Sequence, residues 1–348
     1  MTMIRTFILF ILLVVIALGS GGFWIYQYRL NAPLPLLNDW HYTLRANTNL
    51  SQVAKDLMEQ GLLDYPSALT WVTLARIRQE AHKIKAGEYA VSVGTTPQEF
   101  LDILISGKSV QYSLTIPEGW NFRQLMTAIH KHPNLRHTLK GLDDKAIMEK
   151  LGVPNQHPEG RFYPDTYFFP NRFSDIEFLQ RAHRKMEKEL AKAWDKRQKN
   201  LLLKTPEEAL TLASIVEKET SIAKERREIA GVFIRRLQKD MRLQTDPTVI
   251  YALGETFDGN IKKSDLKMDS PYNTYVNKGL PPTPIALPGR KALEAAVNPA
   301  KGKALFFVAK GNETGEHHFS ASLSEHECAV DKYQRKKEIA SHCRQFDL

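Results

Sequence analysis

An uncharged and mostly apolar run opens the chain. Thr6–Tyr28 spans 23 residues without a charged side chain, which is long enough for a helix to cross the hydrocarbon core of a bilayer. A cleaved signal peptide with Phe7–Leu18 as its apolar region would begin in a similar way, but the apolar continuation Phe23–Tyr26 favours an uncleaved anchor. We therefore predict an N-terminal tip and a single transmembrane helix over residues 1–29. The positive charges that flank the helix are nearly balanced and do not determine its orientation.

After the anchor, the apolar positions switch three times from the alternation of a strand to the spacing of a helix. Residues 30–38 come first and contain two prolines, which predicts a stiff tether. Thr96 is predicted to cap the second helix, with Pro97 at the first helical position and Glu99 closing a capping box. The three strand–helix units are Tyr42–Ala46 with Asn49–Ala54, Tyr89–Val93 with Thr96–Leu101, and Tyr112–Ile116 with Asn121–Leu125.

The first two units form a pattern of their own, because a further helical stretch, Ser67–Arg78, lies between them. The resulting strand–helix–helix–strand order over residues 39–116 resembles a LysM domain, a fold that grips glycans containing N-acetylglucosamine. The resemblance implies a module that binds sugar. A purely structural platform built from the same common units is the alternative.

The remaining residues, 117–348, mix helical and irregular patterns and predict one α+β domain. Leu139–Leu151 and Ile176–Leu203 are charged helix candidates, Arg226–Lys239 is an amphipathic helix, and Glu159–Pro170 is an aromatic loop or short hairpin. Loop-rich stretches dense in amides, hydroxyls and aromatic rings follow at Met241–Tyr251, Ser270–Tyr275 and Gly279–Ile285. Such loops on a helical scaffold suit the recognition of a long polar polymer.

One further helix carries the candidate chemistry. Thr205 can cap it, Pro206 fits its first position and Glu208 closes a capping box. Glu217 and Glu219 fall roughly 80° to either side of an apolar stripe at about 100° per residue. The stripe consists of Ala209, Leu212, Ala213 and Val216, and the face predicted to meet water consists of Thr211, Ser214 and Lys218.

Both glutamates therefore lie at the predicted core boundary, where burial can keep a carboxyl group protonated at neutral pH. A protonated carboxyl is what the cleavage of a glycosidic bond requires. The spacing does not choose between Glu217 and Glu219. Two helix-edge glutamates, one of them paired with a nearby arginine or lysine, would show the same pattern.

Composition limits the kinds of partner and cofactor that we expect this chain to bind. The net charge of +9 suits nucleic acid, anionic lipid or an acidic polymer, and the anchor disfavours nucleic acid. Cys328 and Cys343 allow one disulfide in an oxidising compartment, although the sequence alone does not show it. Nearby histidines lack zinc-site spacing, and no phosphate loop, metal-binding helix or serine elbow occurs. We therefore expect no metal and no cofactor.

Three motifs are specific enough to suggest a family. They are Ala213–Thr220, Leu243–Thr248 and Tyr272–Tyr275. They resemble the endolytic murein transglycosylase family, also called MltG or YceG-like, and the resemblance covers nearly the whole chain. In that family the first glutamate of the Glu-Lys-Glu-Thr run is catalytic, which implies Glu217 here. A looser resemblance to lysozyme-like lytic transglycosylases implies a lysozyme-like helical core, with a glycan cleft lined by Gln244, Tyr272, Asn273 and Tyr275.

The family resemblance also implies the reaction. It is cleavage of the β-1,4 bond from N-acetylmuramic acid to N-acetylglucosamine inside nascent peptidoglycan strands, with 1,6-anhydro ends and the end of strand elongation as results. Glu217 would donate a proton and then accept one, while Asp246 and Glu219 would stabilise positive charge. The catalytic domain would lie on the periplasmic side of the inner membrane, beside the membrane-bound peptidoglycan synthases.

Two other functions also fit the residues. A muramidase of the lysozyme type would use water and a second carboxylate across the cleft, for which Asp246 is the candidate. A membrane-anchored scaffold that binds the cell wall would need no catalysis. Anhydro ends in the product indicate a transglycosylase and reducing ends a hydrolase, whereas the scaffold predicts that Glu217→Gln leaves cellular function intact.

Overall fold

The chain folds into two compact units. We describe it from a computed structural model that covers residues 2–312, 314–338, 340–346 and 348; in the first helix, the side chains described are those of residues 8–24, 26 and 28–30. The first unit comprises the chain up to Tyr112 together with residues 168–172. The second comprises residues 113–167 and residues from 173 to the C terminus.

The first unit begins with the apolar helix α1 (Thr2–Leu30). Its segment Ile8–Leu30 is long and apolar enough to cross a membrane, which agrees with the prediction of one membrane-spanning helix. The segment after it is not a free tether. Leu34 is buried in the core of the unit, and its N–H donates to the Thr95 carbonyl at 2.8 Å, so residues 30–38 are in part packed against the module that follows.

That module has the predicted strand–helix–helix–strand order. Its elements are β1 (Trp40–Leu44), α2 (Leu50–Glu59), α3 (Tyr65–Ile77) and β2 (Gly87–Val91), followed by α4 (Pro97–Ser106). The strands pair antiparallel, with Tyr42 opposite Tyr89. Thr96 and Glu99 form the predicted capping box at the start of α4. Trp71 and Phe100 stack in the core. Whether the module binds sugar as a LysM domain does stays a prediction.

The second unit is mixed α+β, as predicted, and its helices are much longer than its strands. Its strands pair as β4 with β6, parallel, and β7 with β8, antiparallel. From the unit boundary onward, the elements are β3 (Tyr112–Thr115), α5 (Phe122–Lys131), β4 (Leu135–Arg136), α6 (Asp144–Lys150), β5 (Thr166–Phe169), β6 (Phe173–Ser174), α7 (Asp175–Asp195), α8 (Pro206–Glu219), α9 (Arg226–Gln238), α10 (Asp246–Leu253), α11 (Arg290–Val297), β7 (Phe306–Ala309), β8 (His317–Ser320) and α12 (Leu323–Tyr333).

Helix α8 lies at the centre of the core of the second unit. It packs against α7, α9, α10 and α11, and every side chain from Ala209 to Val216 is buried. The prediction that Thr211 and Ser214 face water is therefore wrong, since they are 5% and 0% exposed. The Ser214 hydroxyl donates to the Thr211 carbonyl at 2.7 Å and accepts the Ile285 N–H at 3.0 Å. These bonds satisfy a polar side chain inside the core.

Two helices are shorter in the structure than the sequence pattern predicted. The stretch Ile176–Leu203 is helical only as far as Asp195, because the chain then turns and the Gln198 N–H donates to the Val297 carbonyl in α11 at 3.1 Å. The candidate Leu139–Leu151 forms only α6, which is capped by Asp143.

A stretch predicted as loop is in part a helix. Met241–Tyr251 contains the start of α10 at Asp246, with Pro247 in the first helical turn, where proline lacks no needed hydrogen bond. Asp246 therefore lies at a helix N-terminus rather than in a loop.

The two cysteines are bonded to each other. Cys328 in α12 pairs with Cys343, and their Cα atoms are 5.6 Å apart. The disulfide that the sequence allowed is thus present and joins α12 to the C-terminal segment.

The buried hydroxyl of Ser214 gives a stability prediction. Ser214→Ala leaves the Ile285 N–H without its partner inside the core, and we expect the free energy of unfolding to fall by about 2 kcal/mol. Thermal unfolding of the full-length protein in detergent would measure the loss. Ser221→Ala, at an exposed position just beyond α8, is the matched control and should change stability little. Equal stability of the two variants would contradict the prediction.

Candidate active site

The Glu217 carboxyl is held in the last turn of α8 by two donors. Its Oε1 accepts from Arg226 Nη2 at 2.7 Å, and its Oε2 accepts the Gly289 N–H at 2.9 Å. Arg226 begins α9, and Gly289 is the N-cap residue of α11, so three packed helices fix the carboxyl from different sides. The Glu217 side chain is only 4% exposed.

Burial raises the pKa of Glu217 above its ordinary value, and the charge of Glu118 adds to the rise. The Gly289 N–H and the positive charges of Arg226 and Lys218 act in the opposite direction. The net direction agrees with the expectation from the sequence, where the helix edge was predicted to keep a carboxyl protonated. An opposite charge in contact and a low-dielectric environment compete at this one group.

The loop between β3 and α5 supplies a carboxylate that the sequence analysis missed. Gly119 has φ +78°, and its N–H donates to the Leu287 carbonyl at 2.9 Å. The Leu287 N–H donates in turn to the Trp120 carbonyl at 2.6 Å. This exchange brings Glu118 beside Gly289. The only local signal for the loop is a Pro-Glu-Gly turn between a strand and a capped helix, which predicts a turn and no chemistry.

A cavity of about 900 Å³ lies between α5 and α10, and Glu217 is not part of its lining. We call it the α5–α10 cavity. Gly119 and Lys218, which flank Glu217, belong to its lining. Its wall also holds Glu159, which accepts the Phe122 N–H at 3.0 Å and the Tyr251 hydroxyl at 3.2 Å. Burial raises the pKa of Glu159 to about 7. Glu159 lies in the stretch predicted to be an aromatic loop or short hairpin, and no chemical role was predicted for it.

Four of the predicted site residues surround a second cavity of about 520 Å³, which we call the α8–α10 cavity. They are Glu219, Gln244, Asp246 and Tyr275. The Glu219 carboxyl accepts from the Thr245 hydroxyl, and the Tyr275 hydroxyl donates to Asp246 at 2.6 Å. Burial raises the pKa of Glu219 to about 7. Glu217 is not part of this lining, and the roles of Glu219 and Asp246 as stabilisers of positive charge stay predictions.

The other two residues predicted to line the glycan cleft, Tyr272 and Asn273, hold a loop together. Asn273 is 0% exposed; its amide nitrogen donates to the Met268 carbonyl at 2.8 Å and its oxygen accepts the Tyr275 N–H at 2.9 Å. The Tyr272 hydroxyl is hydrogen bonded to Thr283, and its ring packs on Tyr251. Direct contact of these two residues with a glycan stays a prediction.

The arrangement can support proton transfer on a long polar polymer. A sheltered carboxyl with a raised pKa can donate and accept a proton, and the two cavities lined by its neighbours Lys218 and Glu219 provide polar and aromatic walls. A lysozyme-like core was predicted for this region, and it stays a prediction.

Comparisons with known proteins agree on one family. A family model described as the YceG-like family matches residues 42–332. A protein of Bacillus subtilis named endolytic murein transglycosylase is 32% identical over 91% of both chains. One of Streptococcus pneumoniae with the same name is 28% identical over 96% of this chain and 66% of its own length. The crystal structure of a YceG-like protein from Listeria monocytogenes superposes with a TM-score of 0.53 at 30% identity, over 83% of this chain and 98% of that one.

Proposed function

This chain belongs to the YceG-like family, and from that membership we propose that it is an endolytic murein transglycosylase. The proposed substrate is a peptidoglycan glycan strand, cut internally at the β-1,4 bond from N-acetylmuramic acid to N-acetylglucosamine. The observation that supports the proposal is the Glu217 carboxyl, which is 4% exposed, has its pKa raised by burial, and lies next to Gly119 and Lys218 of the α5–α10 cavity lining.

The proposed mechanism uses Glu217 twice. The protonated carboxyl first donates its proton to the glycosidic oxygen, and the bond from that oxygen to the anomeric carbon breaks. The resulting carboxylate then removes the proton from the muramyl 6-hydroxyl, whose oxygen bonds to the anomeric carbon and closes a 1,6-anhydro ring. Glu217 ends protonated, as it began, and no water is consumed. One carboxyl therefore serves both steps as acid and base.

The remaining parts of the proposal concern place and partners. The helix α1 would anchor the enzyme in the inner membrane with the catalytic unit on the periplasmic side, near the synthases that extrude new strands. Cleavage there would end strand elongation. The module of β1, α2, α3 and β2 would bind the glycan as a LysM domain does. Asp246 and Glu219 would stabilise positive charge, and Gln244, Tyr272, Asn273 and Tyr275 would contact or position the strand.

Product analysis tests the reaction. We expect the full-length protein, purified in detergent and incubated with uncrosslinked glycan strands, to give fragments with 1,6-anhydro ends in mass spectra. A hydrolase that uses water would give reducing ends, each heavier by one water. Reducing ends from the wild-type protein would overturn the proposed reaction.

A further inference from the structure

One arginine serves two carboxylates in the site. Arg226 Nη2 lies 2.7 Å from Glu217 Oε1 and 3.8 Å from Glu118 Oε2. The two carboxylates differ in access, since the Glu118 side chain is 49% exposed and that of Glu217 is 4% exposed. Arg226 itself is nearly buried, so its charge must be balanced by these neighbours.

The backbone is shaped to admit the second carboxylate. A Cβ atom on Gly289 would come within 1.7 Å of Glu118 Oε1, so the absence of a side chain there leaves the space that the Glu118 carboxyl fills. Gly119, with its positive φ, turns the loop so that Glu118 reaches this position. Gly289 also donates its N–H to Glu217. The two carboxylates thus meet across one glycine.

A proton donor at Glu217 has to be freed from Arg226. In the described arrangement both oxygens of Glu217 accept hydrogen bonds from donors. A guanidinium in contact favours the ionised carboxylate, whereas the first step of cleavage needs a protonated oxygen directed at the substrate. A second carboxylate beside the same guanidinium weakens the attraction between Arg226 and the ionised form of Glu217.

Building on the proposed function, we propose that Glu118 is a positioning residue for the reaction: its carboxylate competes with Glu217 for Arg226 and so leaves the Glu217 carboxyl able to carry the transferred proton. The charged groups that influence Glu217 are Arg226 from α9, Lys218 from α8 and Glu118 from the β3–α5 loop, together with the Gly289 N–H. Glu118 is the negative one among these, so its removal leaves Glu217 facing positive charge and a hydrogen-bond donor.

The pH dependence of cleavage tests this role. In Glu118→Gln, Glu217 should lose its proton at lower pH, so the alkaline limb of the kcat/KM profile should move down by about one pH unit, with about a tenfold loss of rate on that side. Glu118→Asp keeps the charge and should restore part of the limb. Gly289→Ala keeps every charge but displaces the Glu118 carboxyl, and should move the limb in the same direction. The exposed Glu149→Gln should leave it unchanged.

A readout that does not need catalysis separates this inference from the proposed function. Carboxyl ¹³C NMR of glutamate-labelled full-length protein follows the titration of Glu217 directly, with its signal assigned by its loss in Glu217→Gln. Reducing ends from the wild-type protein would overturn the proposed function, and full activity of Glu217→Gln would overturn the proposed role of Glu217. In either case, a lower titration midpoint of Glu217 in Glu118→Gln would still support the shared arginine. If both the midpoint and the alkaline limb stay unchanged in Glu118→Gln, the inference is overturned. A uniform loss of rate at every pH without a shift would also overturn it.

Discussion

Replacing Glu217 by glutamine is expected to lower kcat/KM for strand cleavage by about 10³-fold or more. Acid–base groups contribute typically about 10²- to 10⁴-fold, and this one acts in both proposed steps. The glutamine is nearly the same size, and its oxygen can still accept the Gly289 N–H or the Arg226 guanidinium. The glutamine NH2 must face the other of these two donors, and the nearly buried Arg226 loses one of its carboxylate neighbours, so we also expect some loss of stability.

The experiment compares initial rates of cleavage for the wild-type protein, Glu217→Gln and the exposed control Glu149→Gln at several pH values. Glu149→Gln should melt at the wild-type temperature, and rates are compared at a temperature at which all three proteins are folded. Binding of strands by Glu217→Gln should be retained if the residue acts in proton transfer rather than in binding. A variant rate within about tenfold of the wild type would exclude Glu217 as the acid and would require a proton donor elsewhere, whereas no cleavage by the wild-type protein would favour a scaffold that binds the wall.

Local signals predicted the frame of this active site well. The capping residue Thr205 and the apolar spacing that follows it placed α8 correctly, because a helix start and a helix period depend on neighbours in sequence. The helical spacing also predicted that Ser214 faces water, which is wrong. Its partner is the Ile285 N–H, far away in the chain, and no periodicity shows that a polar face of a helix will be covered by another segment.

The immediate surroundings of Glu217 were beyond local signals for the same reason. Glu118, Arg226 and Gly289 come from three separated segments, and each alone resembles an ordinary turn, helix start or helix cap. The family resemblance named Glu217, but it gave no account of what holds it. It implied a cleft lined by Gln244, Tyr272, Asn273 and Tyr275; Gln244 and Tyr275 line the α8–α10 cavity, and contact of any of the four with a glycan stays a prediction.

The second large effect that we expect is a pH dependence of the free energy of unfolding, caused by the Glu219 carboxyl. Burial raises the pKa of this carboxyl to about 7 from an ordinary value of 4.5. Between these values the folded protein holds a proton that the unfolded chain has released. The stabilisation is therefore complete below about pH 4.5 and is lost as the pH rises through 7. The difference amounts to about 3 kcal/mol of unfolding free energy between pH 4.5 and 8.

Glu219→Gln should remove this dependence, because an amide does not titrate and its oxygen can still accept from the Thr245 hydroxyl that Glu219 engages. At pH 8 the variant should be more stable than the wild type by up to about 3 kcal/mol, and at pH 5 by much less. Chemical unfolding of the full-length protein in detergent at both pH values measures this, with Glu149→Gln as the exposed control. Equal pH slopes in the wild type and Glu219→Gln would mean that the carboxyl is ionised in the fold, with Arg236 or solvent offsetting its burial, and Glu219 would then be a charged wall of the α8–α10 cavity rather than a protonated one.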